Sequence, residues 1–448
     1  MSELVDLLRQ GSLTAKEITE LLHINQSTLS RRLTKLPEIV KIGKSRATRY
    51  ILPRPLDNQW CFPLYQINET GNAEKVGTLY SIWPGESCAV EMTNGQSLIY
   101  DGLPWFITDM RPQGFLGRAW GRDINASLHF SDDIKRWTES QTLIALARAG
   151  NETVGNFVIG EMAYQRWFHQ PEDIPVPRED KNQVYERLAQ RSLAGEEVGS
   201  SAGGEQPKFS CYAEHTDREA SQVLVKFSAP PVNENARRWG DLLRAESHAL
   251  RVLQDAGIPA AASEIFTGKK GEVFLEVERF DRVGARGRRG LVSLEAVSAE
   301  FGGGSRNWFL TGQQLQRNKI ITVQTLGRIE QLYAFGKLIA NSDMHQGNLS
   351  FIDPAIDPLK QALSISPVYD MLPMAFAPTN AGAMRREAVS LTLDPLVSKE
   401  KWVNAQAWAR VFWRKVENDR DISAEFRHLA SGMLAQMDGL TAIIQRLA

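Results

Sequence analysis

Asp343, Asn348 and Asp370 are the residues of this 448-residue chain whose types and spacing best suit chemistry. The first two lie in Asn341-Ser342-Asp343-Met344-His345-Gln346-Gly347-Asn348, and the third closes Pro367-Val368-Tyr369-Asp370. An aspartate, an asparagine five positions on and a hairpin ending in a second aspartate make a pattern fit for phosphoryl transfer. The first carboxylate orients the attacking hydroxyl, while the amide and the second carboxylate hold magnesium beside a triphosphate. Asp343 is therefore the candidate base, and Asn348 and Asp370 are candidate metal ligands. His345 is grouped with the nucleotide site as a residue that orients the loop by hydrogen bonds. Asp, Asn and Gly also dominate turns for conformational reasons alone, so the loop needs support from elsewhere in the chain.

Local elements must place these groups. Apolar residues recur at helical spacing from Ile329 to Ala340, which puts Asp343 just past a helix end. Leu349-Ser350-Phe351-Ile352 and Ala362-Leu363-Ser364-Ile365-Ser366 read as strands joined by an Asp- and Pro-rich loop, leaving Asn348 and Asp370 at neighbouring hairpin ends.

Upstream, Ser200-Ser201-Ala202-Gly203-Gly204-Glu205-Gln206-Pro207-Lys208 reads as a loop between strands. Its small residues let backbone amides turn toward an anion, and Lys208 adds a point charge. Gly203, Gly204, Gln206 and Lys208 are its candidate phosphate contacts, although Gly/Ser-rich loops are often only flexible. It is no Walker motif. Gln222 to Ser228 reads as an apolar strand carrying one lysine, Lys226, which is costly to bury unless it meets an anion. The helix predicted from Trp239 to Asp255 offers Glu246 as its ion-pair partner, the alternative being an ordinary solvated helix charge. Val273 to Arg282 alternates as a strand.

Residues 1–53 read as a separate small domain. Thr14-Ala15-Lys16-Glu17 is a capping box opening a helix that buries Ile18, Leu21 and Leu22. A turn leads to a second helix from Gln26 to Leu36, with Gln26, Ser27, Thr28, Ser30, Arg31, Arg32 and Lys35 on its exposed face. These side chains suit a recognition helix in a major groove. The alternating stretch from Val40 to Ile51 resembles a two-stranded wing, with Lys44 and Arg46 added to the DNA-facing set. Residues 1–54 hold ten Lys/Arg against five Asp/Glu, in a chain whose net charge is −1. That local excess is a footprint for DNA, or else the solvated basic face of a protein-docking domain.

Near-neutral charge argues against nucleic-acid binding over the whole surface. Cys61, Cys88 and Cys211 are scattered, without metal-ligand spacing, which suits a reducing, cytoplasmic setting. No apolar run reaches the roughly 20 residues needed to span a membrane, and no membrane partner is expected.

Taken together, Ser201 to Lys208, Val225-Lys226-Phe227, Glu278-Arg279-Phe280-Asp281-Arg282, Asn341 to Asn348 and Tyr369-Asp370 resemble the HipA family of serine/threonine kinase toxins. The likeness is strongest to its YjjJ branch, which carries its own N-terminal helix-turn-helix. The resemblance implies an α+β, two-lobed protein-kinase-like fold behind a winged helix-turn-helix, with an N-terminal lobe over 54–285 and a helical C-terminal lobe over 286–448. It also implies ATP and Mg2+ as cofactors, Asp343 as base, Asn348 and Asp370 on the metal, Lys226 on the phosphates and Ser201 as a self-phosphorylated serine. Known family substrates are aminoacyl-tRNA synthetases, so a protein acceptor is implied. On the residues alone two other readings stay open: a transcription regulator whose kinase-like part only senses nucleotide, and a DNA-directed metal-dependent nuclease built on Asp343, His345, Asn348 and Asp370.

Overall fold

The computed structural model describes residues 2–195, 206–302, 304–305, 307–379 and 381–447, except for the side chains of Ser2 and Arg46. The chain opens with three short helices, α1 (Ser2–Leu8), α2 (Ala15–Leu21) and α3 (Gln26–Leu33). The capping box is formed at α2: the Glu17 amide donates to Thr14 Oγ1 at 3.2 Å and the Thr14 amide to Glu17 Oε2 at 2.7 Å. Asn25 caps α3 by accepting from the Thr28 amide. Leu4, Leu8, Ile18, Leu29, Leu36 and Leu52 form a core for this unit.

The wing pairs β1 (Val40–Ile42) with β2 (Arg49–Ile51) in antiparallel register. It is docked rather than free-standing. Ile42 and Ile51 pack with Ile82 and Ala89 of the following sheet, and the Gly43 amide donates to Glu91 at 3.0 Å.

That sheet is antiparallel, in the order β6-β5-β4-β3-β7, from β3 (Cys61–Ile67), β4 (Ala73–Ser81), β5 (Cys88–Met92), β6 (Ser97–Tyr100) and β7 (Phe157–Ile159). Helices α4 (Gly114–Leu128), α5 (Glu139–Ala149) and α6 (Glu161–His169) accompany it, and α7 (Lys181–Leu193) follows.

A second antiparallel sheet, β10-β11-β9-β8, is built from β8 (Lys208–Ala213), β9 (Ser221–Phe227), β10 (Ser263–Thr267) and β11 (Val273–Glu278). Strand alternation gives it two different faces. Lys208 and Lys226 lie directly opposite each other and share the inner face with Leu275, toward the long helix α8 (Glu234–Asp255). Phe209, Val225 and Phe274 share the outer face and pack under Tyr185 of α7.

The short ladder β12 (Arg282–Val283) with β13 (Gly287–Arg288) leads into the second lobe. There β14 (Leu291–Ser293), β15 (Ser350–Ile352) and β16 (Ser364–Ile365) form a small sheet. Around it lie α9 (Leu294–Phe301), α10 (Trp308–Arg317), α11 (Val323–Leu338), α12 (Lys399–Asn418) and α13 (Ala424–Gln445). Phe335, Phe412, Trp413 and Phe426 anchor the core of this lobe. No described helix is long and apolar enough to cross a membrane.

Candidate active site

Lys226 sits near the end of β9 with only 4 % of its surface exposed. An ammonium buried this deeply must be neutralised, and the fold supplies two carboxylates from distant parts of the chain. Glu246 on α8, fully buried, accepts from Nζ at 2.6 and 2.9 Å, and Asp370 contacts the same nitrogen from beyond β16. Burial alone would depress the Lys226 ammonium, but Asp370 and Glu246 outweigh it and hold its pKa above the ordinary value. Burial raises the Glu246 carboxyl more than Lys226 lowers it. At Asp370 the balance reverses: burial pushes upward, and Lys226 with Lys208 more than offsets it.

Asp370 adopts a left-handed backbone conformation, φ +52°, which costs a non-glycine residue about 1–3 kcal/mol unless its surroundings impose it. Its neighbour Tyr369 is firmly anchored. The buried phenol bonds Ser350 Oγ at 2.6 Å and the Gly347 carbonyl at 2.9 Å, tying the Asp370 segment to the 341–348 loop.

That loop begins where α11 ends and Ala340 turns left-handed at φ +59°. Asn341 Oδ1 accepts from the Asp343 amide at 3.0 Å, and Asn348 Nδ2 donates to the Asp343 carbonyl at 2.9 Å. With its nitrogen so engaged, Asn348 turns to its oxygen as the group left to meet a cation. His345 Nδ1 accepts from the Gly347 amide, and the Trp308 indole donates to the His345 carbonyl. Accepting at Nδ1 leaves the His345 proton on Nε2.

These groups surround one cavity of ≈ 190 Å³, whose wall includes Lys208, Lys226, Glu246, His345, Asn348 and Asp370. Asp343 does not line it and is exposed outside; burial of its inner edge and the nearby Asp370 charge raise its carboxyl pKa. Gln206 lies just before β8 and is not in the wall. Ser201, Gly203 and Gly204 lie outside the described residues. Of the expected flanking strands only the following one, β8, is present among the described residues; the preceding described element is helix α7. Glu246, for which a solvated position was an open alternative, is buried.

The wall also contains residues that sequence reasoning missed. Asp109 and Gln113, from the segment between β6 and α4, enter from the first lobe. Asp109 accepts from the Ser293 amide at 2.6 Å and from its hydroxyl at 2.8 Å, and burial raises its pKa. Nothing in the local pattern around Leu103-Pro104-Trp105-Phe106 signalled a part in this site.

On α3, Gln26, Ser27, Ser30 and Arg31 are exposed and Thr28 is half-buried; the helix ends at Leu33, short of the expected Leu36, so Lys35, also exposed, lies in the turn beyond it. Arg32 departs from the expected exposed face: its guanidinium turns back to Glu3 of α1, 3.7 Å away. Lys44 is exposed, though its stem lies against the Gly95 turn. The Arg46 side chain lies outside the description.

Three family models cover most of the chain. Residues 1–38 match the bacterial regulatory protein, arsR family. Residues 58–168 match the YjjJ-like toxin, middle domain, and 200–437 the HipA-like C-terminal domain. Toxin YjjJ of Escherichia coli (strain K12) is 45 % identical over 433 residues, spanning 97 % of this chain and 96 % of the relative. The chain belongs to the HipA-like toxin family, in its YjjJ-like branch.

At the level of fold, the HipA-like chain superposes with a TM-score of 0.52 and 15 % identity on a chain from the Shewanella oneidensis MR-1 toxin–antitoxin system HipA, HipB and its operator DNA complex. The match covers 86 % of this chain and 99 % of that one. A two-lobed, kinase-like HipA fold thus stands behind an N-terminal helix-turn-helix.

Proposed function

We propose that this HipA-like chain is a protein serine/threonine kinase dependent on ATP and Mg2+, with a DNA-binding module in the same chain. The observation that carries the reading is the convergence of Lys226, Glu246 and Asp370 on one cavity that also receives Asn348 and Lys208. A buried lysine paired to a helix carboxylate, facing an aspartate and an asparagine, is what holding a nucleotide triphosphate requires. The oxygen donors Asp370 and Asn348 suit magnesium, a hard ion that keeps several waters and takes few protein ligands. Bound there, magnesium would neutralise charge on the transferred phosphoryl group.

Lys226 and Lys208 face the cavity from adjacent strands and bind phosphate oxygens. Glu246 fixes where Lys226 points. Asp343, exposed and tied through its carbonyl to Asn348 of the cavity wall, is where a protein acceptor's serine or threonine hydroxyl arrives; its carboxylate takes the proton as the oxygen–phosphorus bond forms. Its raised pKa makes it a better base than an ordinary aspartate. By family analogy Ser201 is the self-phosphorylation site, and the acceptor is a protein of translation such as an aminoacyl-tRNA synthetase. The helix-turn-helix presents Arg31, Lys35, Gln26, Ser27 and Ser30 to DNA, and binding there would let the protein regulate its own synthesis.

The deciding experiment is transfer of labelled phosphate from ATP in Asp343→Asn and Asp370→Asn proteins. Both should lose transfer while remaining folded; wild-type transfer in both variants would remove the assignment. For the DNA module, Arg31→Ala should weaken operator binding and reduce the salt slope by roughly 0.9 if it contacts one phosphate.

A further inference from the structure

The outer face of the β10-β11-β9-β8 sheet carries a second cluster of chemistry-bearing side chains, on the opposite side of the sheet from the kinase cavity. Glu264 and Glu276 are directly opposed across β10 and β11. Like charges so placed repel each other. His215, in the β8–β9 connection, brings its ring to the same place, and one ligand atom from each of the three residues lies within 4.8 Å of the others.

The bonding of this cluster is incomplete in a particular way. Glu276 is 1 % exposed; its Oε2 takes Lys181 Nζ at 2.7 Å and the Tyr185 hydroxyl, so one oxygen is fully engaged. Its Oε1 is buried and has no hydrogen-bond partner. His215 Nε2 is 2.8 Å from Ser221 Oγ, while Nδ1 is likewise buried and without a hydrogen-bond partner. These two unpartnered atoms face each other at 3.3 Å. In the tautomer whose proton sits on Nε2 and is donated to Ser221 Oγ, two lone pairs oppose each other at this distance, and a cation between them relieves the repulsion.

The spacing fits such an ion. Two ligand atoms on one tetrahedral zinc, each at about 2.0–2.1 Å, stand roughly 3.3–3.4 Å apart. Lys181 and Tyr185 on Oε2, and Ser221 on Nε2, are the kind of supporting contacts that orient metal ligands. Glu264, half-exposed and bonded to Arg178 at 3.0 and 3.3 Å, stands at the edge from which an ion would enter.

We propose that His215, Glu264 and Glu276 form a second metal site, taking a divalent transition ion of the zinc class, with water completing the coordination. The positive charges of Lys181 and Arg178 work against ions held by carboxylate charge alone. The imidazole therefore selects zinc-class ions over magnesium or calcium. The ion joins β10 and β11 to the β8–β9 connection, on the reverse of the sheet that presents Lys226; Glu276 pairs in register with Val225, the neighbour of Lys226.

The test is Co2+ titration of the chelator-treated full-length protein, read by visible absorption and thermal midpoint. One equivalent should give the intense absorption of four-coordinate cobalt and raise the midpoint, and excess Mg2+ should not displace it. The absorption should disappear in His215→Gln, weaken in Glu264→Gln and persist in Asp370→Asn. The site is refuted if wild-type protein shows only the weak absorption of hydrated cobalt, if His215→Gln retains the strong absorption, or if only Asp370→Asn loses it. Should His215→Gln not fold, Glu264→Gln decides at its more accessible position: unchanged absorption overturns the proposal.

Discussion

Lys226 and Asp343 show how differently two residues of one site depend on their surroundings. Replacing Lys226 by Met leaves Glu246 buried, and Asp370 partly buried, without their counter-charge. Stability should fall by about 3–5 kcal/mol, the usual result of breaking one side of a buried ion pair; urea denaturation would show it, and a change under about 1 kcal/mol would contradict the buried geometry. Asp343 is exposed, so Asp343→Asn should change stability by no more than about 0.5 kcal/mol. Phosphate transfer should nonetheless drop by ~10²–10⁴ if the residue is the base. The raised pKa of Asp343 adds a pH signature, because the base works only when deprotonated. Transfer should fall with acidification at a pH above that expected of an ordinary aspartate, about 3.9, and Asp343→Asn should erase that limb of the profile.

Among elements, the wing and α7 carry the clearest lessons. The wing β1–β2 looks on sequence like a DNA-facing ribbon, yet its apolar residues Ile42 and Ile51 dock on the sheet of the next unit. Ile42→Ala should cost about 2–5 kcal/mol as a buried cavity and speed proteolysis in the 52–60 connection, while leaving phosphate transfer per folded molecule unchanged. Protection equal to wild type would mean that the wing is not held by this contact. Helix α7 escaped the periodicity reading for a physical reason. Its buried stripe is Lys181, Tyr185, Ala189 and Ser192, helically spaced but half polar, so the pattern of apolar residues does not announce it. Burial of Lys181 is tolerated because Glu276 of β11 comes from far along the chain to meet it.

For the whole molecule, a buried charge network ties the segment just before β7, in the first sheet, to the chain leaving β11 of the second sheet. Asp281 accepts from Arg279 at 3.0 and 2.8 Å, from Arg282 at 2.8 Å and from the Gly155 amide at 3.1 Å, while Arg282 also donates to the Thr153 and Gly155 carbonyls. Burial pushes the Asp281 carboxyl upward, but Arg279 and Arg282 prevail and hold it far below the usual range. The folded pKa is therefore the lower one. The stabilisation is fully present above the unfolded value of about 3.9 and is lost as pH falls toward the folded one. Asp281→Asn should lower stability by about 3–5 kcal/mol near neutral pH and flatten the loss of stability below about pH 4. Denaturant titrations of both proteins across that range would test it; parallel curves would exclude Asp281 as the source.

What could be read without coordinates was local. The Thr14–Glu17 capping box, the helices around Leu250 and Leu332, the apolar strand that carries Lys226 and the Asp343-to-Asn348 spacing all depend on neighbours a few residues away. The family likeness rests on the same short motifs. Only the tertiary structure brought Asp370 to Lys226 across 144 positions, set Asp109 of the first lobe in the cavity wall, turned Arg32 back toward Glu3 and opposed Glu264 to Glu276. Those pairings follow from which faces the packed sheets and helices bury together, and a buried charge finds its partner wherever the chain folds one next to it. No periodicity along the sequence encodes that choice.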